Sequence, residues 1–295
     1  MDNKILIIKL GASGDVIRTT PLLRVLIDDE ITWITHPKNM ELLPADSFNF
    51  KEVLSIDEAD YLKKKSFDLV ISLDDEIEVA QLASSIKAKE LVGIYMGRDG
   101  RPTYTDSAAP WFDMGLISKF GKAKADSLKI ANTRTYQEIL FSMLGLTFRG
   151  EEYFIRIPSG INCNQKHAAI EQRAGNRWPT KRWNRYLELA SRLETDGYKV
   201  WFLEQRPTMQ QFIRDIGRCN TLITGDTLAM HIALALKIRR VVALFTCTSP
   251  TEIYDYGRMK KIVSPYLNQA FYLTDYVAKA VEAISLEQVY KAVTE

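Results

Sequence analysis

Residues 5 to 21, ILIIKLGASGDVIRTTP, decide the fold of this chain. The apolar run at residues 5 to 8 is typical of a buried parallel strand, and the residues after GASGD show helical spacing. A strand that leads through a glycine loop into a helix is a common way to hold a ligand. The loop GASGD, residues 11 to 15, is neither G-x-G-x-x-G nor a Walker loop. It also places a carboxylate, Asp15, where an anion-binding loop would avoid one.

The alternation of apolar runs and helical patterns continues through both halves of the chain. We predict strands at Ile5–Leu10, Ile31–Thr35, Leu69–Leu73, Leu91–Tyr95, His167–Glu171, Lys199–Leu203, Thr221–Thr224 and Val241–Phe245. Such a series implies parallel sheets with helices on both faces. The sequence therefore predicts two α/β domains, residues 1–150 and 151–295, and a final helix that can pack back on the first domain.

Three local patterns refine this plan. Pro21 should break the helix predicted over residues 16 to 27. Residues 97 to 128 are rich in turn formers and predict a long, partly mobile loop, and loops of that length are usually functional. The segment EEYFIRIP, residues 151 to 158, is typical of an edge strand or a linker.

The composition is that of an ordinary globular protein. Of 295 residues, 46% are hydrophobic and 26% charged, and the net charge of +2 is too small to indicate a nucleic-acid partner. The sequence shows no signal peptide and no run long enough to span a bilayer. Three widely spaced cysteines, Cys163, Cys219 and Cys247, favour reduced thiols. We expect a soluble cytoplasmic protein that could still contact the inner membrane from that side.

The segment TLITGDTLAMHIALAL, residues 221 to 236, could hold a phosphate. A strand ends at Gly225, and Asp226 and Thr227 begin a helix, whose free backbone N–H groups attract anions. His231 lies one turn after Thr227 on the same face. The alternative is that Asp226 only caps the helix and His231 is a core histidine.

The segment AGNRWPTKRW, residues 174 to 183, carries three cations within six positions. Arg177, Lys181 and Arg182 could neutralise a diphosphate, or they could form a solvated basic loop. The GASGD loop is equally open by itself. Gly11 and Gly14 permit a tight backbone, and Asp15 is either a helix cap or a general base in a cleft.

Taken together and in this order, the three segments resemble the heptosyltransferases of glycosyltransferase family 9. The resemblance rests on Lys9-Leu-Gly-Ala-Ser-Gly-Asp-Val-Ile-Arg-Thr-Thr-Pro21, on Arg177-Trp-Pro-Thr-Lys-Arg-Trp183, on Asp226-Thr-Leu-Ala-Met-His231 and on Thr248-Ser-Pro250. It spans nearly the whole chain, and three motifs in register are more specific than any one of them.

The resemblance implies a GT-B fold, with two α/β domains facing each other across a cleft. It implies an inverting, metal-independent transfer of heptose from an ADP-activated donor to an acceptor such as the lipopolysaccharide inner core. Asp15 would then be the base that takes the proton of the acceptor hydroxyl. Arg177, Lys181 and the helix start at 226–231 would absorb the charge of the departing ADP. The pair Asp74-Asp75 is interpreted as a loop rather than a metal site, and no cofactor is expected.

Two departures from the family pattern bear on the donor. Leu228 stands where the family has a glycine after Asp-Thr. The connection from strand Lys199–Leu203 to helix Met209–Arg218 is short, so the C-terminal domain lacks an α/β unit that usually carries a ribose-binding glutamate. Glu204 is the candidate substitute.

On the acceptor side, Arg98, Arg101 and Lys122 are candidate contacts for an anionic glycolipid, together with Lys119, Lys124 and Lys129. The alternative is a merely solvated loop.

Two functions of other classes stay open. A Rossmann-type oxidoreductase would need G-x-G-x-x-G and an acidic end to the second strand, where this chain has Thr35-His36-Pro37. A non-catalytic nucleotide-sugar-binding module, or a family member with another sugar or acceptor, would fit Leu228 and the shortened domain.

Overall fold

The computed structural model describes residues 3–46, 49–161 and 163–295. They fall into two compact units, Met1–Arg156 and Ile157–Glu295, so the division lies at residue 156 rather than 150. Residues 151 to 158 form no strand and are a linker, the second of the two predicted alternatives.

The first unit is built on a six-stranded sheet in the order β3-β2-β1-β4-β5-β6. The strands are β1 Lys4–Ile8, β2 Glu30–Thr35, β3 Phe50–Ser55, β4 Ser66–Ser72, β5 Lys87–Met96 and β6 Pro102–Tyr104. The first five are parallel, and only β6 is antiparallel. The chain leaves β1 toward β2 and later returns to β4 on its other side. The carboxyl ends of β1 and β4 therefore flank the topological switch point, where ligands bind in open α/β sheets.

The helices of this unit confirm most of the predicted pattern. They are α1 Ser13–Thr19, α2 Leu22–Val25, α3 Ile77–Ser85, α4 Ala109–Phe112, α5 Lys122–Ala131 and α6 Tyr136–Met143. Pro21 separates α1 from α2, as predicted, because proline cannot continue the hydrogen-bond ladder. The residues of β1 from Ile5 to Ile8 are at most 2% exposed, as expected for a central strand covered on both faces.

The expectation of a long loop at residues 97 to 128 was wrong. The segment contains β6, α4 and the start of α5. Aromatic packing orders it: the rings of Tyr104 and Phe112 stack at 5.3 Å, and Trp111 meets Tyr136 edge-on at 4.8 Å. Turn-forming residues gave the sequence its loop character, but burial of these rings decides the structure.

The second unit is a five-stranded parallel sheet in the order β11-β10-β9-β7-β8. Its strands are β7 His167–Glu171, β8 Lys199–Phe202, β9 Thr221–Gly225, β10 Arg240–Phe245 and β11 Met259–Val263. Its helices are α7 Tyr186–Thr195, α8 Met209–Gly217, α9 Leu228–Ala235, α10 Leu267–Ala270, α11 Ala278–Glu282 and α12 Leu286–Thr294. The switch point lies between β7 and β9. Two α/β units with parallel sheets confirm the predicted fold class.

Two further predictions concern the second unit. Residues 203–208 alone connect β8 to α8, so the short connection is confirmed. The final helix, α12, packs within its own unit: Val289 and Val293 are fully buried in the core that also contains Leu189 of α7 and Val242 of β10. Its apolar face completes the core of the second unit. The idea that the final helix can also pack back on the first domain stays a prediction.

Candidate active site

The glycine loop of the first unit is fixed by Asp74, which follows β4. One carboxylate oxygen lies 2.5 Å from the ammonium of Lys9 and accepts a hydrogen bond from Gly11 N–H at 3.2 Å. The other oxygen accepts a short hydrogen bond from Leu10 N–H. A Cβ at residue 11 would lie 3.0 Å from the Asp74 oxygen and 3.1 Å from Lys9 Nζ, which explains the glycine.

Lys9 and Asp74 form a buried ion pair, with side chains 9% and 4% exposed. Burial disfavours the charge on Lys9 and lowers its pKa, but the attraction of Asp74 outweighs this, and the pKa of Lys9 lies above its ordinary value. The sequence interpretation of Asp74 as an ordinary loop residue was incomplete. The sequence does contain a signal for this contact. Lys9 follows β1 and Asp74 follows β4, and these neighbouring parallel strands end at the same edge of the sheet.

Asn39 holds the same loop from another side. Its amide donates hydrogen bonds to the carbonyls of Leu10 at 2.8 Å and Gly11 at 3.2 Å, and its oxygen accepts one from Ser13 Oγ. Asn39 is fully buried. The loop between β1 and α1 is therefore rigid, because its backbone is bonded on both sides.

Asp15 lies in the first turn of α1. The N-cap position belongs to Ala12, so Asp15 is not the N-cap, although a carboxylate in the first turn still favours the helix. Its side chain is 39% exposed and one oxygen lies 3.0 Å from Arg18 Nε. Gly14 precedes it within the helix. Asp15 is thus a half-exposed carboxylate just after the rigid loop, at the switch point of the first sheet.

In the second unit, Lys181 and Asp226 form the corresponding polar centre. The Lys181 ammonium donates to the carboxylate of Asp226 at 2.8 Å and to its backbone carbonyl at 2.7 Å. Burial by itself raises the pKa of Asp226, but Lys181 and His231 outweigh it and hold that pKa far below the usual range. Three of the predicted donor residues are therefore brought together, and Asp226 stays ionised.

The start of α9 lies beside this pair. Thr227 is the N-cap residue, and its hydroxyl is 2.8 Å from that of Thr224 at the end of β9. His231 is 5% exposed on the same helix. A side chain at Gly225 would lie 3.0 Å from the Lys181 carbonyl, so the close contact of the two segments requires glycine.

The remaining predicted donor residues lie further out. Arg177 is exposed, and its guanidinium sits 4.8 Å from the ring centroid of Trp178, which Lys181 also approaches at 4.8 Å. Glu204 follows β8, with a side chain 72% exposed, and pairs with Arg206 at 3.4 Å. Arg177 thus extends the Lys181 centre, whereas Glu204 belongs to a separate surface pair.

A further polar pair lies at the end of β7. Glu171, 4% exposed, receives two side-chain hydrogen bonds from Arg173, at 2.9 and 2.6 Å. Next to this pair is a cavity of about 490 Å³ lined by Gln172, Arg173, Arg182, Trp183, Asn184, Tyr186 and Leu187. It provides a concave, basic surface beside the switch point of the second sheet.

The three candidate acceptor residues are exposed and lie on two different elements. Arg98 and Arg101 are in the turn between β5 and β6. Lys122 begins α5, is 81% exposed at its side chain, and pairs with Asp126 at 2.5 Å. The structure therefore places all three at the surface without joining them into one site.

In residues 3–46, 49–161 and 163–295, no three His, Cys, Asp or Glu side chains are grouped as a metal site. Within the same ranges, no helix is long and apolar enough to cross a membrane.

Residues 205–273 match the model of glycosyltransferase family 9 (heptosyltransferase). The predicted resemblance to this family is confirmed. The matched region includes α8, β9, α9 and β10, and therefore Asp226, Thr227 and His231. The prediction of a glycosyltransferase is supported by the same match. No curated protein matches the chain.

Solved structures with the same fold match nearly the whole chain. A family 9 glycosyltransferase from Veillonella parvula has a TM-score of 0.69 at 21% identity, over 98% of this chain and 95% of its own. The ADP-heptose lipopolysaccharide heptosyltransferase II of E. coli has a TM-score of 0.66 at 17% identity, over 98% and 97%. E. coli heptosyltransferase WaaC, with ADP-2-deoxy-2-fluoro heptose, has 0.63 at 14%, over 98% of both chains.

A further match bears on metals. TibC from enterotoxigenic E. coli, an iron-containing dodecameric glycosyltransferase, has a TM-score of 0.60 at 10% identity, over 99% of this chain and 75% of its own. These similarities confirm the α/β fold of the heptosyltransferase type.

Proposed function

We propose that the protein is an inverting glycosyltransferase that moves a heptose from an ADP-activated donor to an anionic saccharide or glycolipid, such as the lipopolysaccharide inner core. The family match and the ADP-heptose analogue in the similar E. coli enzyme support the choice of donor. The similar lipopolysaccharide heptosyltransferase II supports the class of acceptor.

The position of Asp15 carries the proposal. A half-exposed carboxylate follows the rigid loop at the switch point of the first sheet, the place where α/β sheets bind ligands. In the proposed reaction the acceptor oxygen attacks the anomeric carbon and its proton passes to Asp15. The bond from that carbon to the phosphate oxygen breaks, and ADP leaves with the electron pair. Attack opposite the leaving group inverts the anomeric centre.

The second unit would hold the departing diphosphate. The N–H groups at the start of α9 and the exposed Arg177 can stabilise its charge. Lys181 is already matched by Asp226, so its main effect is to fix the loop that precedes α9. Glu204 remains a candidate for the ribose because it follows the neighbouring strand β8.

We propose that the transfer needs no metal or other cofactor, because Arg177 and the α9 amides can supply the positive charge. The iron in TibC makes a direct test worthwhile. Turnover should persist after exhaustive chelation, and added iron or magnesium should not raise it.

A basic and apolar surface of the first unit would contact the acceptor lipid. Leu116 and Phe120 are 74% and 53% exposed, and Lys119, Lys122 and Lys124 lie within eight positions of Leu116. Lysines attract anionic headgroups, and exposed apolar side chains can enter the interface. We therefore propose peripheral contact with the cytoplasmic face of the inner membrane.

One observation favours a second candidate, a nucleotide-sugar-binding module without catalysis. Leu228 begins α9, where a side chain can crowd the diphosphate, and the Lys181 charge is already matched. Such a module would bind ADP-sugars but release no ADP.

The experiment measures ADP release from ADP-heptose with heptose-free lipopolysaccharide as acceptor, beside a panel of other nucleotide sugars. Wild type should release ADP only when the acceptor is present. Asp15→Asn should lose turnover by a factor of about 100 or more, since general-base catalysis contributes 10²–10⁴-fold. Asp57→Asn, an exposed aspartate of the same unit, is the matched control and should keep full activity. Full activity in Asp15→Asn would remove the base assignment.

A further inference from the structure

Arg18 is a buried cation that the proposed chemistry has not yet used. Its side chain is 11% exposed and lies one helical turn after Asp15 in α1. The guanidinium carbon is 4.2 Å from the ring centroid of Tyr136 and 5.3 Å from that of Trp111. A planar guanidinium stacks on aromatic rings and loses little freedom when it binds a carboxylate. The two rings therefore hold the Arg18 side chain in place.

The aromatic contacts come from separate parts of the first unit. Trp111 is in α4, within the segment 97 to 128, and Tyr136 begins α6. The Tyr136 hydroxyl is 2.9 Å from Thr19 Oγ1, and Thr19 in turn donates to the backbone carbonyl of Asp15 at 2.8 Å. Arg18 and Thr19 thus connect the aromatic residues of α4 and α6 to both the side chain and the backbone of Asp15.

We propose that Arg18 is a positioning residue for Asp15: it sets the direction of the carboxylate and keeps it ionised when the pH falls. An opposite charge at 3.0 Å favours the ionised form of a carboxylate, and low exposure limits screening by solvent. The role depends on the proposed function, because it gives Asp15 the geometry and charge that a base requires. Asp15 keeps 39% of its side chain exposed, where a ligand can reach it, while Arg18 contacts one carboxylate oxygen.

Other charged groups around Asp15 do not replace Arg18. Lys9 is close enough to interact with Asp15, but its ammonium is bound to Asp74 at 2.5 Å. Burial raises the pKa of Tyr136, so its hydroxyl stays neutral at ordinary pH. From the neighbouring segment 37–42, Lys38 and Glu41 are exposed side chains of opposite charge. Of the cations that the described contacts place near Asp15, Arg18 is the one that lies 3.0 Å from its carboxylate.

The test follows the Asp15 carboxyl carbon by NMR in protein labelled with ¹³C-aspartate, with the signal assigned through Asp15→Asn. In Arg18→Met the midpoint of its titration should rise by about 1 to 3 pH units, because the favourable charge is gone. Arg18→Lys keeps the charge and should shift the midpoint by less than Arg18→Met. If Arg18→Met does not fold, Arg18→Gln replaces it, and the same rise in the midpoint is expected.

Kinetics provide the second readout. In the pH profile of kcat/KM for ADP-heptose, the acid limb should move to higher pH in Arg18→Met, by the same number of pH units as the NMR midpoint. In Arg18→Lys, kcat should fall although the acid limb stays near that of wild type, since a flexible ammonium cannot fix the direction of the carboxylate. Arg149→Met is the control: it removes an exposed arginine of the same unit and should move neither measurement.

The possible results separate this inference from the proposed function. An unchanged midpoint in folded Arg18→Met overturns the role of Arg18, whatever the activity. A raised midpoint in a protein that transfers no sugar supports the effect of Arg18 on Asp15 and removes the transferase. In Arg18→Met, a large loss of kcat with an unmoved acid limb also contradicts the inference.

Discussion

The buried pair Lys9–Asp74 gives the sharpest stability prediction. Asp74→Asn removes the negative charge that matches the Lys9 ammonium, and both side chains are less than a tenth exposed. Removal of one partner from a buried ion pair costs about 3 to 5 kcal/mol, mainly because the remaining charge is unmatched. In wild type the N–H groups of Leu10 and Gly11 donate to the two carboxylate oxygens of Asp74. The side-chain amide introduced by Asp74→Asn has only one oxygen to accept both. We expect a loss of about 3 to 5 kcal/mol in the first unit.

The assay should report on the first unit alone, because a two-unit chain need not unfold in one step. Native-state hydrogen exchange of the β1 amides, residues 4 to 8, gives that local free energy of unfolding. Asp75→Asn, the same substitution one residue later, is the control and should change it by less than about 0.5 kcal/mol. Lys9→Met combined with Asp74→Asn should recover much of the loss, because no buried charge is then left unmatched.

The pH dependence supplies a second check. The pKa of Lys9 is raised above its ordinary value of 10.5, so the stabilisation is complete below 10.5 and is lost only as the pH rises through the higher folded value. The contribution of the pair to the stability of wild type should therefore be the same at about pH 6 and pH 9. In Asp74→Asn the unmatched Lys9 can lose its proton as the pH rises, so the cost of the substitution should be largest at about pH 6, and a cost there below about 1 kcal/mol would refute the reasoning.

Two other predictions test burial and surface. Burial raises the pKa of the Cys247 thiol to about 11 and that of Cys219 to about 12, whereas Cys163 is exposed. A thiol reagent at about pH 8 should therefore label only Cys163 in native protein and all three cysteines in urea. Labelling of Cys247 in native protein would contradict its burial. Leu116→Ser with Phe120→Ser should weaken binding to phosphatidylglycerol vesicles about tenfold or more, while Leu187→Ser, an exposed leucine of the second unit, should not; equal loss in both would refute the proposed surface.

The positions of the strands could be read from the sequence because their signal is local. The apolar run at residues 5 to 8 and the run of β7 correspond closely to the observed strands. Strand β3 was missed, since FKEVLS carries two charges and lies at the sheet edge, where burial is only partial. Residues 97 to 128 were misjudged because ring packing between distant residues, such as Trp111 and Tyr136, is not visible as periodicity.

The candidate site also has one part that the sequence predicts and another that depends on the tertiary structure. The sequence by itself determined the α/β plan and the glycine loop at residues 11 to 15, because both depend on residue type and short spacing. Asp15, Lys181, Asp226 and His231 became site candidates through the resemblance of three motifs to one family, since each motif alone left a structural alternative open. Only the tertiary structure decided that Asp74 anchors the GASGD loop, that Arg18 holds Asp15, and that Asp226 matches Lys181. Two of these contacts join residues 45 or more positions apart. Strand order brings such residues together, and buried charges then require a partner.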